Sequence, residues 1–318
     1  MRIAVSGANG FVGHGLVRQL AANNHQLLAY VRQPGDFARF DRVTTVAAPE
    51  LDPHSDWQFR HELGIDVLVH LAARVHVMKD TSADPLTEFR KVNVAGTANL
   101  ARQAAKVGVK RFVFLSSIKV NGEFMEAGQP FTTDDVPAPE DPYGVSKHEA
   151  EQLLRQIAAE TGMEIVIIRP PLVYGPGVKA NFESMMRWLA RDVPLPLAAV
   201  TNNRRSLVAL DNLVDLIVTC LNHPAAANQT FLVSDDEDLS TADLLKRMGA
   251  AMEHPARLFH LPPALLKLGA TVLNKPGIYQ RLCGSLQLDI TKTRQLLGWT
   301  PPVSVDEGLR RAAEGFRL

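Results

Sequence analysis

The sequence predicts an α/β fold, a doubly wound parallel sheet with a smaller second domain, on three observations. Short apolar runs alternate with helical patterns through the first 170 residues. The first run enters a glycine-rich turn, and beyond residue 170 the elements shorten and prolines punctuate the chain. Strand–helix alternation implies right-handed crossovers with helices on both faces of a sheet, and ligands on such sheets bind beyond the carboxyl ends of the strands.

Ile3 to Ser6, Gln26 to Val31, Asp66 to Leu71, Arg111 to Ser116 and Glu164 to Ile168 have the length and apolar content of buried strands. Between them Val12, Leu16 and Leu20, then Val94, Ala98, Ala101 and Ala105, recur at the spacing of a helix face packed on a sheet. These elements define a first domain over residues 1–170. The prolines at 176, 194, 196, 262, 263, 301 and 302 break residues 171–318 into the shorter elements of a second. The boundary is expected to be discontinuous, because strand-like Ser206 to Leu210 and Thr230 to Val233, within 206–233, can return to the first sheet.

The 318 residues carry 34 Lys+Arg and 34 Asp+Glu. Zero formal net charge provides no global field for a nucleic acid or an anionic membrane, so neither is expected as a partner. Cys220 and Cys283 are too few for a disulfide framework and lack neighbours at metal-ligand spacing, so no metal is expected. Met1-Arg2-Ile3-Ala4-Val5 runs straight into the turn, without room for a secretory leader, and no apolar stretch approaches the ~20 residues that span a bilayer. The expected location is cytoplasmic.

Ser6-Gly7-Ala8-Asn9-Gly10-Phe11-Val12-Gly13 closes the first strand and opens the first helix. In that context Gly7 permits the tight turn, Gly10 lets the backbone approach a pyrophosphate, and Gly13 lets the helix pack closely on its strand. The helix start, with Asn9, Phe11 and Val12, offers positive potential to a dinucleotide. Where dinucleotide folds place a ribose-binding carboxylate, at the end of the second strand, stands Val31-Arg32. Arg32 is either a partner for a 2′-phosphate or a solvated surface residue. The first reading favours NADP(H), with NAD(H) as the other possibility.

Tyr143 and Lys147 stand four apart and share a face if the segment is helical. Phe114-Leu115-Ser116-Ser117 ends a buried strand in hydroxyls. The Gly-x-x-Gly-x-x-Gly turn, the serine motif through Val120-Asn121-Gly122, and the Tyr-x-x-x-Lys pair, in this order, resemble the extended short-chain dehydrogenase/reductase superfamily, the nucleotide-sugar epimerase/dehydratase branch. The resemblance implies a Rossmann-type fold with Ser117, Tyr143 and Lys147 catalytic and Lys147 lowering the phenol pKa. Ser116 neighbours them at the cofactor. His70-Leu71-Ala72-Ala73 resembles the fourth-strand motif, whose Leu71, Ala72 and Ala73 border the cofactor, and His70 reads as a satisfied buried imidazole. Asn93 resembles the family's helix asparagine, and Arg169-Pro170-Pro171-Leu172-Val173-Tyr174-Gly175-Pro176 its segment after the sixth strand, with Pro170 at the cofactor and Leu172 where Asn is usual.

On the substrate side the resemblance implies contacts from Asn181, Phe182, Arg205 and Arg281 to an anionic nucleotide sugar; taken singly, each arginine reads equally as a surface ion pair. Ile118-Lys119 replaces the Asp-Glu pair of the family's 4,6-dehydratases, which argues against dehydration. The expected reaction is NADPH-dependent reduction of the C4 keto group of a UDP-4-keto-6-deoxy-N-acetylhexosamine in bacterial surface-polysaccharide synthesis. A 4-epimerase of UDP-hexose or UDP-N-acetylhexosamine with bound NAD is the near alternative, and a non-catalytic NADP(H)-sensing regulator a more distant one. The family's habit implies a homodimer, to which Leu153, Leu154 and Ile157 could contribute unless they pack on the sheet.

Overall fold

The computed structural model describes residues 1–23, 25–32, 37, 39–75, 84–125, 128–274 and 276–316. In chain order the elements are β1 (Arg2–Ser6), α1 (Phe11–Ala22), β2 (Gln26–Val31), β3 (Val43–Ala47), β4 (Val67–His70), α2 (Pro85–Phe89), a π-helical turn over Arg90–Gly96, α3 (Thr97–Lys106), β5 (Arg111–Leu115), α4 (Pro142–Thr161) and β6 (Glu164–Arg169). The second half contributes β7 (Leu172–Tyr174), α5 (Ala180–Ala190), β8 (Leu207–Ala209), α6 (Leu210–Cys220), β9 (Thr230–Leu232), α7 (Thr241–Ala251), α8 (Pro263–Val272), α9 (Pro276–Cys283), α10 (Thr291–Leu297) and α11 (Val305–Glu314).

The main sheet is parallel throughout, in the order β3-β2-β1-β4-β5-β6-β9. The chain winds outward from β1 in both directions, so the switch point falls between β1 and β4, and the glycine turn opens there. Inner strands are covered on both faces, which is why they read as unbroken apolar runs. Ile3 and Val5 pack under α1 and α6 with Leu16, Leu213 and Ile217, while Ala4, Phe112 and Phe114 pack under α3 and α4 with Leu100, Leu154 and Ile157. β3 escaped the sequence reading because it is a half-exposed edge strand with two threonines at its centre.

Two expectations are revised. Thr230–Leu232 does join the main sheet, beside β6, but Leu207–Ala209 pairs with Leu172–Tyr174 in a separate two-stranded sheet. Leu154 and Ile157 are fully buried and Leu153 packs partly on the same core, so these side chains are spent on the sheet and form no free dimer face. A third cluster, with Tyr174, Phe182, Met186, Leu245 and Leu309, is the core of the C-terminal half.

Candidate active site

Gly7 has φ +71°, and a Cβ there would lie 2.7 Å from the backbone nitrogen of Ala72. A Cβ on Gly13 would lie 2.2 Å from the Gly7 carbonyl oxygen, so α1 meets the turn closely only because both positions are glycine. α1 has no side-chain cap and no acidic residue in its first turn. Its leading amides and positive dipole end are therefore left for an anion. Asn9 and Gly10 are exposed, Phe11 and Val12 half-buried. A groove of about 640 Å³ borders the turn, lined in part by Asn9, Gly10, Phe11, Arg18 and Lys179. Across the switch point Leu71 donates its amide to the Ser6 carbonyl at 3.1 Å, bringing the half-buried Leu71, Ala72 and Ala73 alongside.

His70 pins this junction. Its Nδ1 is 2.6 Å from Ser6 Oγ and its Nε2 2.9 Å from Thr97 Oγ1, and burial, aided by the Lys147 charge, holds its pKa well below the usual range. Asn93 is buried in the π-helical turn and similarly occupied: Nδ2 donates to the Arg74 carbonyl and to Ser146 Oγ, both at 3.0 Å, and Oδ1 accepts from Arg74 N at 2.8 Å. Its amide braces α4 against the chain after β4.

The catalytic candidates stand on two adjoining elements. Asp141 caps α4 by accepting the Gly144 amide at 2.7 Å, with Pro142 in the first turn. A short 3₁₀ turn, Ile118–Val120, follows β5 and is capped by Ser117, whose Oγ accepts the Lys119 amide at 3.2 Å. This use of its lone pair leaves the hydroxyl proton available to donate. Lys119 Nζ joins the two elements, 2.6 Å from Asp141 and 2.7 Å from Glu123. Burial opposes its charge, but the two carboxylates outweigh that and raise its pKa.

Lys147 is buried, donates to the Leu115 carbonyl at 2.8 Å, and lies 4.4 Å from the Phe114 ring centroid. Burial lowers its pKa to about 7, against the supporting charge of Glu151. Tyr143 is half-buried and meets Phe89 edge to face. Contrary to expectation, its phenol pKa is raised, by burial and then by Asp141. The Lys147 ammonium lies 5.9 Å from the tyrosine ring centroid, and in the protein alone desolvation outweighs it.

Behind these residues lies a network that sequence reasoning missed. Glu151, fully buried, accepts from Ser116 Oγ at 2.6 Å and from Arg169 Nε and Nη2 at 2.9 and 2.5 Å. Arg169 Nη1 reaches Asn121 Oδ1 at 2.9 Å. The buried Pro170 accepts the Ile118 amide at 3.0 Å, tying the end of β6 to the 3₁₀ turn. The signal for Glu151 was its position four residues beyond Lys147 and eight beyond Tyr143, on the same helix face.

The substrate-side candidates are more dispersed. Asn181 is exposed at the start of α5, whereas Phe182 is fully buried and stacked on Tyr174, so its ring belongs to the core and only its backbone remains to contact a ligand. Arg205 is half-buried and donates to the Arg281 and Gly284 carbonyls, both at 3.2 Å, and burial lowers its pKa. Arg281 is exposed, its Nε on the Gly277 carbonyl at 3.0 Å. The segment after it links both arginines to the catalytic side: Leu286 N donates to Arg204 O at 2.8 Å, and Phe131 N to Gln287 O at 2.8 Å. Leu172 is largely exposed where β7 begins.

The uncapped glycine turn at the switch point and the Ser-Tyr-Lys arrangement beyond β5 define a dinucleotide-dependent enzyme of the extended short-chain dehydrogenase/reductase type. The model of the NAD dependent epimerase/dehydratase family matches residues 3–234, and the chain belongs to that family. It is 47% identical over 315 residues to a UDP-glucose 4-epimerase of Vibrio cholerae, covering 99% of this chain and 95% of the relative. Among solved structures it is similar to a Bacillus cereus UDP-glucuronic acid 4-epimerase in complex with NAD, with a TM-score of 0.78, 21% identity, and 99% and 96% of the two chains covered. A Thermotoga maritima UDP-glucose 4-epimerase with UDP-glucose superposes with a TM-score of 0.76 at 21% identity, covering 99% and 98%.

The comparisons overturn the NADP(H) expectation. Of six similar structures described with a dinucleotide, five hold NAD and one NADPH. The physical error lay in reading a missing carboxylate as a phosphate site: its absence removes one hydrogen bond to a ribose, and Arg32 is an exposed residue just past the end of β2.

Proposed function

We propose that this protein is a UDP-hexose 4-epimerase that retains NAD through its catalytic cycle. The observation that carries the reading is the 47% identity with the Vibrio cholerae UDP-glucose 4-epimerase over 99% of the chain. The ketoreductase expectation leaned on NADPH and loses that support with it.

The glycine cradle and the uncapped start of α1 fit a pyrophosphate, with Gly7, Gly10, Phe11, Val12 and Gly13 around it. Lys147 would hold the nicotinamide ribose, and Leu71, Ala72, Ala73 and Pro170 would border the ring. When bound, NAD would supply a reversible hydride acceptor for the sugar carbon. Tyr143 takes the proton from the C4 hydroxyl and later restores it. Ser117, its lone pair committed to Lys119 N, donates its proton to the same oxygen and orients it. The raised pKa of Tyr143 in the protein alone keeps the phenol protonated until a positive charge is added beside it. Arg205 and Arg281 would meet the diphosphate, and Asn181 the nucleotide.

The test is to denature freshly purified protein and identify released dinucleotide by mass spectrometry, then incubate native protein with UDP-glucose without added cofactor. Stoichiometric NAD and appearance of UDP-galactose are expected. Protein that comes off empty and turns over only with added reduced dinucleotide and a 4-keto sugar would replace the epimerase by a reductase.

A further inference from the structure

Six large apolar side chains are exposed within twenty residues of the C-terminal half: Phe259, Leu265, Leu268, Val272, Leu273 and Ile278. Val272 and Leu273 are 77% and 70% exposed, and α8 buries none of its residues. Leu265, Leu268 and Val272 follow i, i+3, i+7 and so share a helix face, while Leu266 makes the inward contact with the third core cluster. Apolar side chains scattered singly over a surface need no explanation, but a run of this density does.

The same segment is anomalous in charge. Residues 254–288 contain no Asp or Glu, where 34 in 318 would place about 3.7, and contain Arg257, Lys267, Lys275 and Arg281. Arg257 lies 3.8 Å from Asp192; Lys267 and Arg281 are exposed. The chain's zero net charge averages this cationic stretch away.

The segment is held at both ends. Phe259 N donates to Leu195 O at 3.0 Å and Leu195 N to Arg257 O at 2.9 Å ahead of α8; after α9, Leu286 N donates to Arg204 O at 2.8 Å, and Arg205 Nη1 donates to the Arg281 and Gly284 carbonyls, both at 3.2 Å. The apolar face is thus presented by a braced arm.

We infer that the α8–α9 arm docks peripherally on an anionic lipid bilayer. Interfacial helices bury an apolar face roughly 5–10 Å into the headgroup region while Lys and Arg reach lipid phosphates, and the arm joins those two features and carries no carboxylate of its own. This is surface attachment: among the described residues no helix is long and apolar enough to cross a membrane. A protein partner would need only the apolar face; the lack of acidic residues is what favours lipid.

The full-length protein is pelleted with vesicles of phosphatidylcholine containing phosphatidylglycerol, and with pure phosphatidylcholine. Co-sedimentation with the anionic vesicles, weakened by salt, is expected, with roughly tenfold less binding for the double variant L268E/V272E and a smaller loss for K267E. Neither variant touches the proposed catalytic residues, so conversion of soluble UDP-glucose, or failing that an unchanged circular dichroism spectrum and melting curve, reports intact folding. Wild-type protein that stays in the supernatant with anionic vesicles overturns the inference, as does equal binding by L268E/V272E. A self-association abolished by L268E/V272E, without vesicle binding by the wild type, would assign the face to a second copy instead.

Discussion

The wall to which the chemistry is assigned by proposal and the arm formed by α8 and α9 solve the problem of polar and apolar surface in opposite ways. In the wall, Glu151, Arg169, Ser116 and Asn121 are buried polar groups that satisfy one another across α4, β5, β6 and the turn after β5. In the arm, apolar groups face outward with nothing among the described residues to cover them. A buried network makes each member costly to change, because its partner is left charged and dry. The exposed apolar face of the arm has no such mutual dependence. Its leucines and valine should tolerate substitution in every assay that lacks a partner, and the two regions can be separated experimentally on that ground.

The largest effect is expected at the wall's reacting edge. Tyr143→Phe removes the proposed acid–base group and should lower UDP-glucose epimerisation by roughly 10²–10⁴-fold, with NAD still recovered from the denatured protein. Turnover within a few-fold of wild type, measured by chromatography of the two UDP-hexoses, would break the assignment of chemistry to this wall.

Much of the wall was legible because its signals are short and backbone-determined. The glycine turn lies within eight residues of β1, and Tyr143 and Lys147 need only a helix to come together. Their support was not legible. Glu151 went unread although its spacing from Lys147 offered a signal, and its partners arrive from strands brought side by side by the register Leu115↔Ile168, which no local pattern reports. Leu154 and Ile157 show a different limit: an apolar stripe suits a sheet and a dimer partner equally, and only the packed structure decides. On the substrate side Phe182 was chosen by motif position, although a phenylalanine in an amphipathic helix is more simply a core residue.

The second effect concerns stability. Glu151→Gln leaves Arg169 charged in a buried site with only Asn121 fully available to it, and should cost about 3–5 kcal/mol in urea unfolding. The double change Glu151→Met with Arg169→Met removes both charges and should recover much of that loss. A single variant as stable as wild type would mean that the pair is solvated and that the contrast between wall and arm is weaker than the packing implies.

The smallest effect sharpens the contrast where wall and arm meet, at the two arginines. Arg281 lies on α9, exposed, and among the described residues its side chain engages the Gly277 carbonyl one turn back. Arg205 is half-buried and holds two carbonyls of the segment that reaches across to Phe131. Arg281→Ala should therefore leave the melting transition within about 0.5 kcal/mol of wild type, as surface changes do. If its guanidinium also meets the diphosphate, KM for UDP-glucose should rise roughly tenfold at constant kcat, the signature of a contact equally strong in ground and transition states. Arg205→Ala should raise KM and lower stability together, because it releases the Arg281 and Gly284 carbonyls as well as the ligand. An Arg281→Ala enzyme with unchanged KM would remove α9 from the substrate site and leave the arm's exposed surface as its remaining distinctive feature, which the vesicle experiment examines independently.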